Sequence, residues 1–507
     1  MFNRSGSTFD AIAHLAAHAA NLTLTKHADL NSGIELQPHQ KRVVRNVQNQ
    51  LATEDKVRLL LYQGLGSGKT LGGLAAAESS KLPYTAIVPA ALRTNLRKEQ
   101  EKFIDPATAV PSSIMSHTGL GRGLPIANPQ SLLIDETHRF RNAQSSQTQN
   151  LLEAARKAKQ VVMLSGTPIV NSPADFAVPY SVLTGKDTTP EAFSARYVDN
   201  DPQPSLYRRL FNIKAPDPGL KNVEELKANL KGKVDYFAPA KPQAEINRED
   251  VITEMTRDQT DLNSQMYGKL PALLKWKLQL NYPLSDAESK KMVSFLTGPR
   301  QLGLSTNAFT QDHADPMAAF NSSPKLTEAF KRVNELIKKD PKGKALIFSN
   351  FIESGLNPYQ AALDKAGIPA ASFTGALSDK QRKKLVDDYN SDKLKVALLG
   401  PSGTEGLSFK GTKLMQLLDP HWNNVRSEQS EGRGLRYDSH AHLPLADRKV
   451  KIERYIARTA PSRLKSLLRY IGVKVNPLSA TDDYLIAAGN RKQQLNDKFL
   501  NLLKELD

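Results

Sequence analysis

A glycine-rich segment early in the chain contains the residue types that bind a polyphosphate. It consists of Gly64-Leu65-Gly66-Ser67-Gly68-Lys69-Thr70 and follows an apolar run, with Gln63 where the strict pattern has glycine. Backbone N–H groups of such a loop surround phosphate at the N-terminus of the next helix, where Lys69 would reach the terminal phosphates and Thr70 would ligate Mg²⁺. The segment therefore predicts a nucleotide site, and its residues are Gly64, Gly66, Ser67, Gly68, Lys69 and Thr70.

Two adjacent acids stand at the end of a later apolar run. Asp135 and Glu136 directly follow residues 131–134. Asp135 would hold Mg²⁺, usually through water, while Glu136 would polarise the attacking water, and this division of labour requires two neighbouring carboxylates. Taken alone, an Asp-Glu pair is most often a solvated turn. Because a phosphate-binding loop precedes the pair, we predict nucleotide hydrolysis.

Two further segments have residues that fit the same chemistry. Ser165-Gly166-Thr167 follows a third apolar run, and its small hydroxyl side chains could sense the γ-phosphate. Far downstream, Arg433 and Arg436 are spaced so that both should lie on one helical face. Such a pair could reach a γ-phosphate within the same chain. The alternatives are a common turn for the first segment and a solvated basic helix face for the second.

Short apolar runs that alternate with helical stretches must position these residues. Such alternation implies parallel sheets covered by helices, so the predicted fold class is α/β with two parallel-sheet lobes. The runs of the first lobe are residues 57–61, 85–88, 131–134 and 161–164, and those of the second are 345–348, 371–374, 395–399 and 414–418.

The rhythm of strands and helices breaks between residues 184 and 340, where Lys, Asn, Asp, Pro and Leu become frequent. We interpret this segment as a largely helical insertion. The predicted domains are an N-terminal helix and linker (1–35), a nucleotide-binding lobe (36–183), the insertion (184–340), a second lobe (341–460) and a C-terminal helical extension (461–507).

The net charge and the amino-acid composition restrict the classes of protein to which this chain could belong. Lys plus Arg number 69 against 52 Asp plus Glu, so the net charge is 69 − 52, or +17, and cysteine is absent. The absence of cysteine excludes disulfides, thiolate zinc sites and cysteine nucleophiles. The positive charge favours a polyanion, with nucleic acid ahead of anionic lipid. No apolar run approaches the roughly 18 residues of a membrane span, so we expect a soluble intracellular protein that is not secreted.

Together these segments resemble the superfamily 2 helicases and translocases, in which ATP binds between two RecA-like lobes. The resemblance covers residues 36–436. Gln40 corresponds to that family's adenine-reading glutamine. DETHRFRN, which begins at Asp135, and SGTPIVN, which begins at Ser165, are similar to motifs of the chromatin-remodeller (Swi/Snf-type) DNA-dependent ATPases. The resemblance implies that ATP and Mg²⁺ are the cofactors and that Ser165, Gly166 and Thr167 couple hydrolysis to movement.

The second half of the chain continues this resemblance. The Q-x-x-G-R-x-x-R pattern of residues 429–436 matches the family motif that completes the ATP site, and Asp419-Pro420-His421-Trp422-Asn423 is similar to viral members such as the poxvirus nucleoside triphosphatases. Gly298-Pro299-Arg300-Gln301 is similar to a short signature of the remodeller insertion. The resemblance assigns catalytic roles to Gln429, Arg433 and Arg436 beside Lys69, Asp135 and Glu136, and nucleic-acid contacts to Arg93, Asn350, Thr374 and Thr404.

These patterns predict an ATP-dependent motor that tracks along duplex DNA, whether as a translocase or as a DNA helicase. The strand predicted at residues 414–419 is followed within ten residues by Gln429, which leaves no room there for the β-hairpin wedge of many strand separators. The alternatives are an RNA-dependent ATPase or RNA helicase, the motor of a restriction or repair complex with protein partners, and a binding scaffold that holds ATP as a switch.

Overall fold

The computed structural model describes the chain in segments. These are residues 30–31, 33–64, 67–199, 205–211, 216–238, 244–279, 282–306, 309, 315–401, 407–419, 434–435, 439–459 and 481–506. The chain forms two compact units, which we call lobe 1 and lobe 2. Lobe 1 comprises Met1–Asp199, Gly219–Ala240 and Leu495–Asp507, and lobe 2 comprises Asn200–Pro218 and Lys241–Gln494.

The described strands are, in chain order, β1 (Val57–Gln63), β2 (Tyr84–Val88), β3 (Ser112–Ser116), β4 (Ser131–Asp135), β5 (Gln160–Ser165), β6 (Val198–Asp199), β7 (Gly219–Leu220), β8 (Val234–Phe237), β9 (Glu245–Glu254), β10 (Ala345–Phe348), β11 (Ala370–Phe373), β12 (Val396–Leu399), β13 (Leu414–Leu417) and β14 (Lys449–Arg458).

The described α-helices are α1 (Pro38–Thr53), α2 (Lys69–Ser79), α3 (Arg93–Phe103), α4 (His117–Gly121), α5 (Ser146–Lys157), α6 (Ala177–Thr184), α7 (Pro190–Tyr197), α8 (Leu206–Leu210), α9 (Val223–Leu230), α10 (Arg257–Gly268), α11 (Ala272–Gln279), α12 (Asp286–Leu304), α13 (Pro316–Asn321), α14 (Pro324–Lys339), α15 (Asn357–Lys365), α16 (Asp379–Asn390) and α17 (Thr481–Lys504). None of them is long and apolar enough to cross a membrane.

Lobe 1 contains a six-stranded sheet in the order β3-β2-β4-β5-β1-β8, and every pairing in it is parallel. The side chains of β1 alternate between two apolar clusters: Leu59 and Leu61 lie in one, and Leu60 and Tyr62 in the other. Successive side chains of a strand point to opposite faces, so both faces of this sheet are covered. This explains why its strands are continuous apolar runs in the sequence.

Lobe 2 contains a second six-stranded sheet, in the order β11-β12-β10-β13-β14-β9, also with parallel pairings throughout. On β10, Ala345 and Ile347 join one apolar cluster, whereas Leu346 and Phe348 join the other. The predicted α/β class with two parallel-sheet lobes is confirmed.

Several helices begin where the sequence supplies a side-chain cap. The hydroxyl groups of these residues accept a hydrogen bond from a backbone N–H in the first turn, which would otherwise lack a partner. In α10, α12 and α16 a Gln or Glu side chain also accepts from the N-cap backbone, which completes a capping box. The capping residues are Ser145, Thr189, Thr256, Ser285, Ser323 and Ser378.

The segment at residues 184–340 differs in one respect from the helical insertion that the sequence indicates. It contains helices, but it also supplies β8, which pairs with β1 in lobe 1, and β9, which pairs with β14 from Glu245 to Glu254 in lobe 2. Lobe 1 therefore extends beyond residue 183. Both are outermost strands, and most residues of β9 are at least partly exposed, so the strand lacks the apolar run of a buried one.

Candidate nucleotide site

The loop between β1 and α2 turns sharply at Gly68. Gly68 has a φ of +71° and is the N-cap of α2, whose first residue is Lys69. Ser67 closes the turn from the other side, because its hydroxyl donates to Gly64 O at 2.8 Å and its backbone N donates to the same oxygen at 3.3 Å. The φ of Gly68 lies in the region that residues with a Cβ avoid, so a glycine is needed where the strand passes into the helix.

Two side chains at the N-terminus of α1 donate hydrogen bonds to backbone carbonyl groups of this loop. Gln40 Nε2 donates to Gly68 O at 3.0 Å, and His39 Nε2 donates to Ser67 O at 2.7 Å. The His39 ring also stacks on Phe237 of β8, with 3.7 Å between the ring centroids. The side chain expected to read adenine is thus engaged with the phosphate loop in this structure.

A buried carboxylate that the sequence analysis did not include lies beside the start of the loop. Asp235 of β8 is fully buried and accepts hydrogen bonds from Gln63 Nε2 at 2.8 Å and from Arg42 Nε at 2.8 Å. Gln63, which departs from the strict phosphate-loop pattern, therefore ties the end of β1 to β8. In the sequence, Asp235 stands between two apolar residues, Val234 and Tyr236. A strand of four residues is too short for this pattern to predict a buried acid.

The two adjacent acids, Asp135 and Glu136, differ in how far they are buried. Asp135 ends β4, and its Oδ1 accepts from the Glu136 backbone N at 2.9 Å. Burial, together with the neighbouring charge of Glu136, raises the pKa of Asp135 to about 6, although the positive charge of Lys69 opposes this shift. Glu136 is more open, and its Oε2 lies 3.3 Å from His138 Nδ1 without hydrogen-bond geometry. The two carboxylates are therefore adjacent but differently solvated.

His117 is a second contact that the sequence analysis missed. It is buried on α4, donates from Nε2 to Asp135 O at 3.1 Å and packs against Phe140, with 4.7 Å between the ring centroids. Burial lowers the pKa of His117 to about 4, with a further contribution from the charge of Arg139. A neutral imidazole thus fixes the backbone at the end of β4.

The loop after β5 lies next to Lys69. A Cβ placed on Gly166 would be 3.5 Å from Lys69 Nζ, and Ser165 Oγ accepts from Thr167 N at 3.1 Å. Strands β4, β5 and β1 are neighbours in the sheet, so their three following loops share its carboxyl edge, where ligands of open α/β sheets bind. The structure brings together the segments that contain Lys69, Asp135 and Ser165, as the sequence predicted.

The donor set at this edge suits Mg²⁺. Among the described residues no three His, Cys, Asp or Glu side chains form a metal-binding group. Mg²⁺ keeps several waters and commonly binds through one or two carboxylates together with substrate phosphates. The carboxylate of Asp135 and the hydroxyl of Thr70, in the first turn of α2, fit that requirement. A metal enclosed entirely by protein would need more protein ligands than these two.

The predicted residues outside this edge have varied surroundings. Arg93 is exposed at the N-terminus of α3, and Thr374 is half-buried directly after β11. Asn350, in contrast, is hydrogen-bonded within lobe 2 to Asp419, with 2.7 Å between its Nδ2 and Oδ2 of the acid. The predicted positions that lie outside the described residues are Gly66, Thr404, Gln429, Arg433 and Arg436.

Two family models match parts of the chain. The SNF2-related domain matches residues 123–184, which include Asp135, Glu136 and Ser165, and the helicase conserved C-terminal domain matches residues 328–438. The first match thus contains two of the three segments that meet at the carboxyl edge of the lobe 1 sheet. The second contains β10 to β13 of the lobe 2 sheet and the residues 429–436.

Viral proteins are similar to the chain over most of its length. A protein of Acanthamoeba polyphaga mimivirus, named as a candidate ATP-dependent RNA helicase, is 24% identical over 92% of this chain and 96% of its own. An NPH-I termination factor homologue of African swine fever virus is 23% identical over 88% of this chain and 75% of its own. Among solved structures, the SWI2/SNF2 ATPase core of Sulfolobus solfataricus in complex with double-stranded DNA shares 16% identity over 91% of this chain and 96% of its own, with a TM-score of 0.34.

Proposed function

We propose that this chain, a nucleic-acid-dependent ATPase of the Snf2-related group of superfamily 2 helicases, is a motor that moves along duplex DNA. The observation that carries the proposal is the convergence of Lys69, Asp135 and the Ser165–Gly166 turn at one sheet edge. A bound polyphosphate, an activated water and a sensor of the γ-phosphate require groups of these three kinds within reach of one another.

Each residue then has a distinct task in hydrolysis. Lys69 binds the terminal phosphates, and Glu136 accepts a hydrogen bond from the attacking water and orients it. Thr70 and Asp135 would hold Mg²⁺, which would neutralise phosphate charge. Gln429, Arg433 and Arg436 are assigned to the same reaction because residues 429–436 match the family motif. Gln40 fixes the backbone of the phosphate loop through Gly68 O, and the resemblance also assigns it the contact with adenine.

Coupling to movement starts from the turn after β5. Gly166 lies beside Lys69, and Thr167 N bonds to Ser165 Oγ within the same turn, so the presence or loss of a γ-phosphate at Lys69 would change the environment of this turn. Each cycle of ATP binding, hydrolysis and product release advances the protein along one strand. Arg93, Thr374 and Thr404 are the proposed contacts with the phosphate backbone.

Steady-state ATP hydrolysis tests this function. The wild type and Lys69→Ala are compared without polymer and with duplex DNA, single-stranded DNA or RNA, each at two salt concentrations. Lys157→Ala serves as the control, because that lysine is exposed on α5 and pairs only with Glu153 across one helical turn. We expect strong duplex stimulation in the wild type and the control that is lost in Lys69→Ala. Equal, low rates with every polymer would contradict a nucleic-acid motor.

Translocation and strand separation are distinguished by a second pair of assays. A motor without a wedge displaces a third strand from intact duplex DNA but leaves a blunt duplex paired. Robust unwinding of blunt duplexes, with no displacement on intact duplex, would contradict the translocase proposal.

RNA is the second candidate track. It is favoured by the mimivirus relative that is named as a candidate RNA helicase and that is similar to nearly the whole chain. Two lobes that grip a phosphate backbone can bind either polymer. Stimulation by RNA alone, in the same hydrolysis assay, would establish this alternative over duplex DNA.

A further inference from the structure

Two stacked aromatic rings lie beside the phosphate loop of lobe 1. The rings of His39 on α1 and of Phe237 at the end of β8 have 3.7 Å between their centroids and 11° between their planes. Both residues also bond to the loop, because His39 Nε2 donates to Ser67 O at 2.7 Å and Gly64 N donates to Phe237 O at 3.2 Å. The two rings therefore have a fixed place relative to the loop that would bind phosphate.

The order of the strands indicates on which side of the loop the base of a nucleotide would lie. Asp135 and Ser165 end β4 and β5, which lie on one side of β1 in the sheet, whereas β8 lies on the other side of β1. A nucleoside triphosphate is elongated, with its terminal phosphate at one end and its base at the other. Because hydrolysis requires the terminal phosphate to lie near the acids that follow β4, the base extends toward β8.

Phe237 offers apolar ring surface on that side. It is 37% exposed, although it belongs to a strand of the sheet, and His39 covers one face of its ring. Every nucleic-acid base has a π-face, and aromatic side chains stack on such faces. A ring that is already held on one side by a parallel neighbour loses little conformational freedom when a base covers its other side. Phe237 is thus suited to stack on a purine.

Gln40, to which the resemblance assigns the contact with adenine, is already engaged at both ends of its amide. Its Nε2 donates to Gly68 O at 3.0 Å, and its Oε1 accepts from Gln37 N at 2.9 Å. An amide that reads a base must present its donor and its acceptor to the edge of that base. The Gln40 amide instead bonds to the phosphate loop and to the start of α1, and the residue is 2% exposed.

We propose that Phe237 is a base-binding residue of the nucleotide site, with its free ring face stacked on the purine of a nucleoside triphosphate. His39 holds the ring from the opposite face. Gln40 acts on the nucleotide through Gly68 and the phosphate loop, not through a contact with the base. This inference rests on the proposed hydrolysis of nucleotide in lobe 1, and it assigns the base end of the site to β8, a strand that the sequence did not predict.

Steady-state hydrolysis of ATP by the full chain, with and without duplex DNA, tests the stacking. Phe237→Leu keeps an apolar side chain but removes the flat ring, so the KM for ATP should rise about tenfold. The kcat should stay within twofold of the wild type, because stacking on the base is the same before and during the reaction. Phe237→Trp retains a flat ring and should keep the KM within threefold. A wild-type KM in Phe237→Leu would overturn the proposal.

Three competitors separate the base from the phosphates. GTP, CTP and inorganic tripolyphosphate are each used as inhibitors of ATP hydrolysis. In Phe237→Leu the inhibition constant of GTP should rise as much as the KM for ATP, and that of CTP should rise less, because a pyrimidine has a smaller ring system. The constant of tripolyphosphate, which has no base, should stay within twofold. An equal rise for tripolyphosphate would overturn the proposal, because the lost ring would then act through the phosphate loop.

Two further variants complete the comparison. Gln40→Ala should raise the KM for ATP and the inhibition constant of tripolyphosphate by the same factor, and a rise confined to ATP would overturn the role given to Gln40. Phe211→Leu is the matched control, because it makes the same substitution at another exposed phenylalanine, in lobe 2. It should leave every constant unchanged. The same changes in Phe211→Leu as in Phe237→Leu would contradict a specific effect of Phe237.

The outcomes also separate this inference from the proposed function. A wild type that hydrolyses no ATP, with or without nucleic acid, would overturn both. A wild type that hydrolyses ATP at the same rate with every polymer would overturn the motor function alone, because the constants for ATP and tripolyphosphate are measured without polymer as well. A stimulated wild type, together with unchanged constants in Phe237→Leu, would overturn the base-binding role alone.

Discussion

Glu136 adopts a left-handed backbone conformation, with φ at +54°, although it has a full side chain. Such a conformation costs on the order of 1–3 kcal/mol and persists only where the surroundings enforce it. Here the enforcing contacts are the hydrogen bond from Glu136 N to Asp135 Oδ1 and the hydrogen bond from buried His117 to Asp135 O. The strained backbone thus lies at the residue that we expect to activate water.

Glu136→Gln tests the water-activating role. The amide keeps the shape of the side chain but loses the negative charge that polarises water, so we expect turnover to fall at least a hundredfold while ATP binding persists. Hydrolysis and the binding of a fluorescent ATP analogue are the measurements. Glu153→Gln, an exposed position on α5, should behave as the wild type. Near-normal turnover in Glu136→Gln would remove this residue from that role.

Gly68→Ala tests the turn of the phosphate loop. The new Cβ would lie 2.6 Å from Gln40 Nε2 at a φ of +71°, so the Gln40 side chain must give up its hydrogen bond to Gly68 O, and ATP affinity should fall at least tenfold. Gly232→Ala is the control, because its φ is +73° but nothing lies within 4 Å of the Cβ. Both variants incur about 1–2 kcal/mol of backbone strain, but only in Gly68→Ala does the new methyl group contact Gln40. An equal fall of ATP affinity in Gly232→Ala would show that the contact with Gln40 is not the cause.

At the scale of elements, β8 anchors the nucleotide-binding end of lobe 1. It pairs with β1 and places Asp235 against Arg42 of α1 and Gln63 at the end of β1. Phe237, its last residue, stacks on His39. A strand of four residues thus determines how α1 and the phosphate loop meet, because its side chains bond to both.

Asp235→Ala should destabilise lobe 1 by about 2–4 kcal/mol, because it leaves Arg42 without its carboxylate in a partly buried site. It should also raise the KM for ATP, since Gln63 directly precedes the loop. Urea unfolding and steady-state hydrolysis measure the two effects. Asp187→Ala breaks the exposed pair with Arg156 and should cost less than about 1 kcal/mol. An equal, small cost for both variants would contradict the anchoring role of β8.

At the scale of the whole molecule, the net charge of +17 indicates that polyanion binding depends on salt. The lysines in the first turns of α16 (Lys380, Lys383 and Lys384) are exposed and lie where the chain leaves β11, at the carboxyl edge of the lobe 2 sheet. Lys338 and Lys339 are equally exposed but precede β10, at the opposite edge. We therefore expect the lysines at the carboxyl edge, rather than those at the opposite edge, to contact the nucleic acid.

Replacing Lys380, Lys383 and Lys384 with alanine should weaken the activation of ATP hydrolysis by duplex DNA. Each lost phosphate contact reduces the slope of log affinity against log salt by about 0.9, so a loss of up to about 2.7 is expected. The measurement is the DNA concentration that gives half-maximal stimulation of ATP hydrolysis, determined at a series of salt concentrations from low to moderate. Lys338→Ala/Lys339→Ala should leave the slope unchanged, and an identical slope change in both variants would contradict the assignment of the edge.

The sequence alone determined the fold class and the segments that meet at the nucleotide site. The buried strands of both sheets are continuous apolar runs, and the residues that follow β1, β4 and β5 have the types that phosphate, Mg²⁺ and water require. These features are local, because a parallel strand covered on both faces must be apolar and its carboxyl end must lead into a loop. Residue order therefore suffices to predict them.

Only the tertiary structure decided which partners hold those residues. Asp235, His117 and Arg300 are distant in sequence from the groups they bind, and nothing in their immediate neighbourhood indicates the pairing. The outer strands β8 and β9 escaped prediction because an outermost strand pairs on one side only and need not be an apolar run. Asn350, which the resemblance assigns to the nucleic acid, bonds to Asp419 in the structure, because a buried carboxylate requires donors and the fold brings them from α12 and from the residues after β10.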